Sequence, residues 1–309
     1  MPAKEDIPFS IPVSMGEPAY LDWAIREAAF WANLQPASMD RTNRPENPFL
    51  DRHTNLRFTG SAGTYWYEVI PSYGPFKKGL VLGTSAVSDE AAILTKNPSL
   101  HLTFLDISRG ALERRQRVLG SRADYAQVDL NFVQLREHSF DVIISSSTLH
   151  HVVNLEHLAE QCLRALRPGG CFFLQDCTVE SRFQFSPAKI RLFEELHLRA
   201  ESARGWDPPR KLVWAGGPKS PFCGIRSGEI MDVLTRYFEV VKLAGTAALT
   251  GLLLFTRVEP TGRGRKPPLV RRMRPQRDPL RHLVEVDDLM CDAGILVPYN
   301  SFAVLRRPD

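Results

Sequence analysis

The chain has 309 residues, of which 43% are hydrophobic and 24% charged, and 39 basic against 35 acidic residues give a formal net charge of +4. This composition excludes an intrinsically disordered protein, which combines low hydrophobicity with high net charge. The most apolar stretch, Ala247–Phe255, is far shorter than the roughly 20 residues of a membrane-spanning helix, and the acidic N-terminus is not typical of a secretory signal.

The first 60 residues predict an N-terminal elaboration that caps a substrate, ahead of a domain over residues 61–309. Leu21–Leu34 places apolar residues at helical spacing and predicts a helix. Gln35–Asn55 is rich in Pro, Asn, Asp and Arg, which predicts an extended loop. An aromatic cluster, Tyr65-Trp66-Tyr67, precedes the central region.

From Gly79 onward, short apolar runs alternate with amphipathic segments. The predicted strands are Gly79–Gly83, His101–Asp106, Tyr125–Asp129, Phe140–Ser145, Cys171–Gln175, Phe238–Leu243 and Ser301–Arg306. The predicted helices are Ser88–Leu94, Arg109–Leu119, Leu155–Leu166, Ser186–Ala203, Ser227–Tyr237 and Leu280–Asp292. This alternation indicates an α/β fold with a doubly wound, mostly parallel seven-stranded sheet and helices on both faces. We expect two insertions, a cap segment at residues 178–226 and a basic loop at residues 258–281.

Ligands of open α/β sheets bind outside the carboxyl ends of the strands. The first predicted strand ends at the turn Gly83-Thr84-Ser85, and the second ends at Asp106. A carboxylate about twenty residues beyond such a turn suits hydrogen bonds from a ribose diol. Asp106 could instead cap the following helix.

Three motifs carry a family resemblance: VDLN (Val128–Asn131), FDVIISSSTLHHVVNLEHLAE (Phe140–Glu160) and LRALRPGG (Leu163–Gly170). With the acidic end of the second strand, they make Gly79–Cys177 resemble the class I, Rossmann-like S-adenosylmethionine-dependent methyltransferases. The resemblance implies S-adenosyl-L-methionine as cofactor and an antiparallel last strand.

The resemblance also implies cofactor contacts along the strand ends. Carried over to this chain, they are Gly83, Thr84 and Ser85 at the methionine moiety, Asp106 and Ile107 at the ribose, Asp129 and Leu130 at the adenine, and Ser145 and Ser146 near the sulfonium. The family's first turn usually has the pattern acid-x-Gly-x-Gly-x-Gly. Here Val81 stands at the acidic position, and Ser85 and Val87 replace two glycines. Val87 is β-branched and would be strained at a positive φ.

Candidate catalytic residues follow the fourth predicted strand. His150 or His151 could take the proton of a hydroxyl or phenol acceptor, or the pair could be structural. Candidate substrate-lining residues come from the aromatic cluster and from the region after the fifth strand; they are Tyr65, Trp66, Asp176, Arg182 and Trp206. Each of these could instead be ordinary core or a solvated loop residue.

The five cysteines are scattered and include no C-x-x-C pair. This pattern favours neither a disulfide framework nor a zinc site. The histidines outside the pair at 150 and 151 have no metal-ligand spacing either, so we predict no metal ion. We expect a reduced, cytoplasmic protein.

Eight basic residues lie between Arg263 and Arg281, opposed only by Asp278, and their surplus exceeds the net charge of the whole chain. The tract could attract an anionic partner such as an acidic carrier protein, or it could be a solvated loop. Nucleic acid is disfavoured because the tract has no aromatic residues for base stacking. No membrane partner is expected.

The resulting hypothesis is methyl transfer from S-adenosylmethionine to an oxygen or nitrogen of a small molecule, such as a secondary metabolite or a sugar-containing acceptor. An alternative rests on the altered glycine turn. In that alternative the protein keeps the methyltransferase fold but catalyses a different reaction or only binds a ligand.

Overall fold

The computed structural model describes residues 6–34, 48–84, 87–203, 211–214, 220–259 and 279–308. Its α-helices are α1 (Pro18–Asn33), α2 (Pro48–Thr59), α3 (Val87–Lys96), α4 (Arg109–Leu119), α5 (Leu155–Ala165), α6 (Pro187–Ala203), α7 (Ile230–Tyr237) and α8 (Pro279–Asp292). Its strands are β1 (Lys78–Leu82), β2 (His101–Asp106), β3 (Ala123–Gln127), β4 (Phe140–Ser146), β5 (Leu166–Cys177), β6 (Lys211–Trp214), β7 (Glu239–Thr246), β8 (Thr256–Glu259) and β9 (Asn300–Arg306).

Seven strands form one sheet in the order β3-β2-β1-β4-β5-β9-β7. The strands β3, β2, β1, β4 and β5 pair in parallel, whereas β9 runs antiparallel to both β5 and β7. This architecture confirms the predicted fold class. After β1 the chain builds outward to β3 and then returns to place β4 on the other side of β1. The strand order therefore reverses between β1 and β4, which is where sheets of this kind bind ligands.

The alternation of side chains along β1 divides the core between the two faces of the sheet. Leu80 and Leu82 pack in one hydrophobic cluster with Ile143, while Val81 packs in the other with Phe104. Val81 is only 2% exposed. The residue at the family's acidic position is therefore part of the core in this chain, and it presents no charge to a ligand.

The loop predicted over Gln35–Asn55 is wrong from Pro48 onward, where α2 begins. Tertiary contacts outweigh the polar composition of this segment. Phe58 packs against Phe302 of β9, and His53 lies 2.5 Å from the Asp288 carboxylate. Residues 35–47 lie outside the described part of the chain.

Several strand boundaries and one small sheet also differ from prediction. β3 ends at Gln127, so Asp129 lies in the following loop. β5 already begins at Leu166, which pairs with Phe140 before an irregularity in the ladder, so the segment 167–170 is part of the strand. The short strands β6 and β8, which no sequence pattern indicated, form an antiparallel pair. None of the helices in the described ranges has the length and apolar character to cross a membrane.

Candidate functional site

A cavity of about 80 Å³ lies at the carboxyl ends of β1, β2 and β4, beside the reversal of strand order. Strand-end loops form one wall, and α1 and the segment around Phe222 form the other. The lining residues are Glu27, Trp31, Gly83, Thr84, Asp106, Ile107, Asp129, Leu130, Asn131, Ser147, Thr148, His151, Val152 and Phe222. Six of the residues predicted to bind the cofactor are therefore brought together, along with one of the two histidines.

The loops after β1 and β4 approach each other closely at the cavity wall, and this approach requires a glycine at position 83. Its φ is +77°, in the region that favours glycine, and a Cβ at this position would lie 2.2 Å from Thr148 Oγ1. The neighbouring Ser85 lies outside the described residues. Val87 is the first residue of α3, so its backbone is helical and the strain expected at a positive φ does not arise.

The Asp106 carboxylate is fixed at the cavity by the loop after β1. Its Oδ2 accepts hydrogen bonds from the Thr84 amide at 2.8 Å and hydroxyl at 2.7 Å, and its Oδ1 accepts one from the Ser108 amide at 2.7 Å. Burial raises the pKa of Asp106 against the effect of these bonds. The helix-cap alternative for Asp106 is wrong, because Ser108 is the N-cap of α4 and accepts from the Ala111 amide.

Asp129 is held by its own loop and by the N-terminal helix. Its Oδ1 accepts from the amide and the side chain of Asn131, both at 2.9 Å, and its Oδ2 accepts from the Tyr20 hydroxyl at 2.6 Å. Burial, together with the Asp129 carboxylate, raises the pKa of the Tyr20 phenol. Tyr20 therefore stays protonated and donates to the carboxylate from α1.

The serines at the end of β4 and just beyond it have different positions relative to the cavity. Ser145 and Ser146 are both buried in the strand and do not line the cavity, although they were predicted to lie near the sulfonium. The next two residues, Ser147 and Thr148, do line it. Ser147 has a φ of +52°, and this turn of the backbone directs the chain along the cavity wall.

The two histidines also have different environments. His150 is buried away from the cavity, and its Nδ1 lies 2.5 Å from Asp176 Oδ1. His151 lines the cavity, and its Nδ1 lies 2.8 Å from Glu27 Oε1. Each imidazole is thus oriented by a carboxylate, but His151 is the one that can meet a bound ligand.

Asp176 was predicted to line the substrate site, but it is fully buried beneath it. Its Oδ2 accepts from the amides of Thr148 at 3.0 Å and Leu149 at 2.7 Å, and its Oδ1 faces His150. Asp176 therefore orients the loop after β4 and one imidazole. A buried carboxylate in this position cannot contact an acceptor in the cavity.

Glu27 joins α1 to the rest of the site. Its carboxylate accepts from Trp31 Nε1 at 2.6 Å, from the Ser220 hydroxyl at 2.6 Å and from the Phe222 amide at 3.0 Å, besides facing His151. Although burial raises the pKa of Glu27, His151 and these hydrogen bonds lower it to about 2. Glu27 is consequently ionised and anchors the helix over the cavity.

Cys223 lies against both imidazoles in a cluster of three side chains, of which His150 and Cys223 are buried and His151 is partly exposed. Burial raises the pKa of the Cys223 thiol, but His151 and His150 outweigh that effect and lower it to about 6. Burial lowers the pKa of His150, yet Asp176 and Cys223 raise it well above the usual value. The pKa of His151 is also raised, because Cys223 and Glu27 outweigh burial and the neighbouring His150.

Three of the other predicted substrate residues, Tyr65, Trp66 and Arg182, do not line the cavity. Trp66 is a core residue, 4% exposed and packed against Phe302. Tyr65 is exposed on the surface and stacks on Tyr67. Arg182, whose amide donates to the Gly224 carbonyl, does not line the cavity, and Trp206 lies outside the described residues.

Sequence reasoning missed Glu27, Trp31, Phe222 and Cys223. A signal for Glu27 was present, since it occupies the same helical stripe as Tyr20, Trp23 and Ala24, all buried. An acidic residue in an apolar stripe needs a buried partner. Cys223 offered no comparable signal, because its neighbours in the site come from distant parts of the chain.

Comparison with known proteins finds similarity to methyltransferases over part of the chain. Residues 80–172 match the family model described as a methyltransferase domain. The chain is 30% identical over 112 residues to phosphoethanolamine N-methyltransferase 2 of Caenorhabditis elegans, covering 33% of this chain and 25% of that protein. It is 30% identical over 87 residues to a probable S-adenosylmethionine-dependent methyltransferase of Mycolicibacterium smegmatis, covering 26% of this chain and 33% of that protein.

Among solved structures, the N-methyltransferase NodS of Bradyrhizobium japonicum in complex with S-adenosyl-L-homocysteine aligns over 93% of this chain and 100% of its own, with 14% identity and a TM-score of 0.46. The chain spans only about a quarter to a third of the two curated relatives named above. The match to the family model is confined to residues 80–172, which are less than half of the chain.

The residues at the cavity fit the nucleoside part of S-adenosylmethionine. Two carboxylates, Asp106 and Asp129, lie at successive strand ends, and the apolar Ile107 and Leu130 follow them. Carboxylates accept hydrogen bonds from ribose hydroxyls and from an adenine amino group.

Proposed function

We propose that the protein transfers the methyl group of S-adenosylmethionine to an oxygen or nitrogen of a small-molecule acceptor. The observation that carries this proposal is the convergence of Asp106, Asp129 and the Gly83 turn on one cavity at the reversal of strand order. The cofactor supplies an electrophilic methyl group on a positively charged sulfur. The tasks left to the protein are to position the two reactants and to remove a proton from the acceptor.

Asp106 is the residue proposed to hold the ribose. Its carboxylate is already oriented by three hydrogen bonds from Thr84 and Ser108, so it can accept a further one from a ribose hydroxyl without reorganisation. Asp129 is proposed to accept the adenine amino group, with Leu130 packing against the ring. Both roles use strand-end positions that the sheet fixes on one edge.

His151 is the proposed general base. Glu27 faces its Nδ1 at 2.8 Å, which favours a proton on that nitrogen. In the neutral ring, which forms above the raised pKa of His151, Nε2 is then the nitrogen that accepts a proton from the acceptor. His150, held by Asp176 beneath the site, is proposed to position its neighbour, since the two ring centroids lie 4.1 Å apart. The acceptor enters from the side of α1, where Trp31 packs against His151 with ring centroids 5.4 Å apart.

Calorimetric titration of S-adenosylhomocysteine into the full-length protein tests the cofactor site. The Asp106→Asn variant should bind about 10- to 100-fold more weakly, because a hydrogen bond to a charged group contributes roughly 1.5–3 kcal/mol. Asp124→Asn is a matched control, since Asp124 is exposed on β3 and pairs only with the exposed His101 among the described contacts. Failure of the wild type to bind at millimolar concentration would contradict the proposal.

Transfer of a labelled methyl group to a panel of hydroxyl- and amine-bearing small molecules tests the reaction itself. The proposal expects incorporation that the His151→Gln variant reduces by about 100-fold or more, the usual range for loss of a general base. Tight binding of S-adenosylhomocysteine without transfer to any acceptor would favour the alternative in which the fold binds the cofactor for another purpose.

A further inference from the structure

Three potential metal ligands lie close together beside the cavity, and one of them, His151, also lines it. His150, His151 and Cys223 each offer one donor atom, and these atoms all lie within 4.8 Å of one another. They come from two separate segments, the loop after β4 and the segment after Phe222. Their meeting is therefore a product of the tertiary fold and was not visible as a sequence motif.

Both imidazoles carry the outer partners that metal-binding histidines usually have. Nδ1 of His150 lies 2.5 Å from Asp176 Oδ1, and Nδ1 of His151 lies 2.8 Å from Glu27 Oε1. A carboxylate on one ring nitrogen fixes the tautomer and makes the other nitrogen a better ligand. The nitrogen left for a cation is then Nε2 of each ring.

These carboxylates are themselves held rigidly. Asp176 is fully buried and accepts hydrogen bonds from three backbone amides, while Glu27 is 2% exposed and accepts from Ser220 and from the amide of Phe222. Two buried carboxylates behind two adjacent imidazoles place negative charge around the cluster. A cation at its centre would be favoured by that charge.

We propose that His150, His151 and Cys223 bind a zinc ion, with a fourth coordination position directed toward the cavity that His151 lines. Two nitrogens and a thiolate sulfur are ligands that Zn²⁺ prefers, whereas Mg²⁺ and Ca²⁺ prefer oxygen. Tetrahedral Zn²⁺ with ligands at about 2.0–2.3 Å places the donor atoms roughly 3.3–3.6 Å apart. Since the donor atoms lie within 4.8 Å of one another, each pair needs to draw together by at most about 1.5 Å.

Metal binding does not depend on the proposed function, but its chemical consequence does. Three protein ligands leave a position for a water or for the acceptor, and zinc would make a bound hydroxyl group more acidic. With a cation on Nε2 of His151, that nitrogen no longer takes a proton. The coordinated hydroxyl would then release its proton to solvent water, because the metal's charge stabilises the resulting oxyanion.

Cobalt(II) titration of the metal-free, full-length protein tests the site. We expect tetrahedral d–d bands in the visible range and a thiolate-to-cobalt charge-transfer band in the near ultraviolet, saturating at one ion per chain and displaced by Zn²⁺. Cys223→Ser should abolish the charge-transfer band. Cys171→Ser is the matched control, because Cys171 is buried in β5 within a separate core cluster, and it should keep the full spectrum.

The outer partners give a second, independent set of variants. Glu27→Gln and Asp176→Asn keep all three ligands and should weaken Co²⁺ binding by about 10- to 100-fold. Circular dichroism of each variant confirms that it folds. No charge-transfer band in the wild type at millimolar Co²⁺, or a band that survives Cys223→Ser, would overturn the proposal, and the first result is decisive even if the variants do not fold.

Discussion

Replacing Gly83 by alanine tests the close approach that shapes the cavity. The new Cβ would lie 2.2 Å from Thr148 Oγ1 and 2.7 Å from Cγ2, on a residue whose φ is +77°. The left-handed backbone costs an alanine about 1–2 kcal/mol, and overpacking costs about 1–3 kcal/mol more. We expect Gly83→Ala to lower the free energy of unfolding by about 2–5 kcal/mol.

Equilibrium unfolding in urea, followed by circular dichroism, measures this change and separates its two parts. Gly60→Ala is the matched control, because Gly60 has a φ of +83° and nothing within 4 Å of its Cβ position, so it should lose the backbone part alone. Thr148→Ala in the Gly83→Ala background removes Oγ1 and Cγ2 and should recover about 1–3 kcal/mol. Equal losses in the two glycine variants, or strict additivity in the double variant, would refute the packing argument.

Three further variants test other contacts. Tyr20→Phe removes a 2.6 Å hydrogen bond to Asp129 and should lower the free energy of unfolding by about 1–3 kcal/mol. An unchanged urea midpoint would show that this hydrogen bond between α1 and the cavity does not stabilise the fold. Glu90→Gln breaks an ion pair with Arg115 in which both side chains are at most 2% exposed, and it should lower the free energy of unfolding by about 3–5 kcal/mol. The double variant Glu90→Leu with Arg115→Met should recover most of that loss. A double variant no more stable than Glu90→Gln would contradict this expectation. Burial raises the pKa of Asp141, but two backbone amides and a guanidinium lower it below its ordinary value of 3.8. The Asp141 carboxylate therefore stabilises the folded protein fully above pH 3.8, and this stabilisation is lost as the pH falls through the folded pKa. Acid unfolding of Asp141→Asn should therefore show a shallower dependence on pH below about 4, and identical curves for the two proteins would refute this assignment.

Local sequence patterns were sufficient for the elements that build the sheet. The spacing of apolar residues predicted β2 and α4 with the residue ranges that the structure shows. The position of Asp106 at the end of β2 likewise predicted that it lies at the cavity. These features depend on hydrogen bonding and burial over a few residues. They could therefore be predicted without knowledge of the tertiary fold.

Features that depend on distant contacts could not be predicted in this way. α2 has a polar composition and is stabilised by Arg57 and His53, which pair with α8. Cys223 reaches the histidine pair only because its segment packs against α1 through Phe222. His150 and His151 are neighbours in sequence, yet the turn after β4 buries one and exposes the other to the cavity.

A structure of the protein with S-adenosylhomocysteine bound is the most direct test of the proposed cofactor site. We expect the ribose hydroxyls within hydrogen-bonding distance of the Asp106 carboxylate, the adenine amino group facing Asp129, and the sulfur on the side of His151. A ligand bound elsewhere, or an adenosine moiety that contacts neither carboxylate, would contradict it.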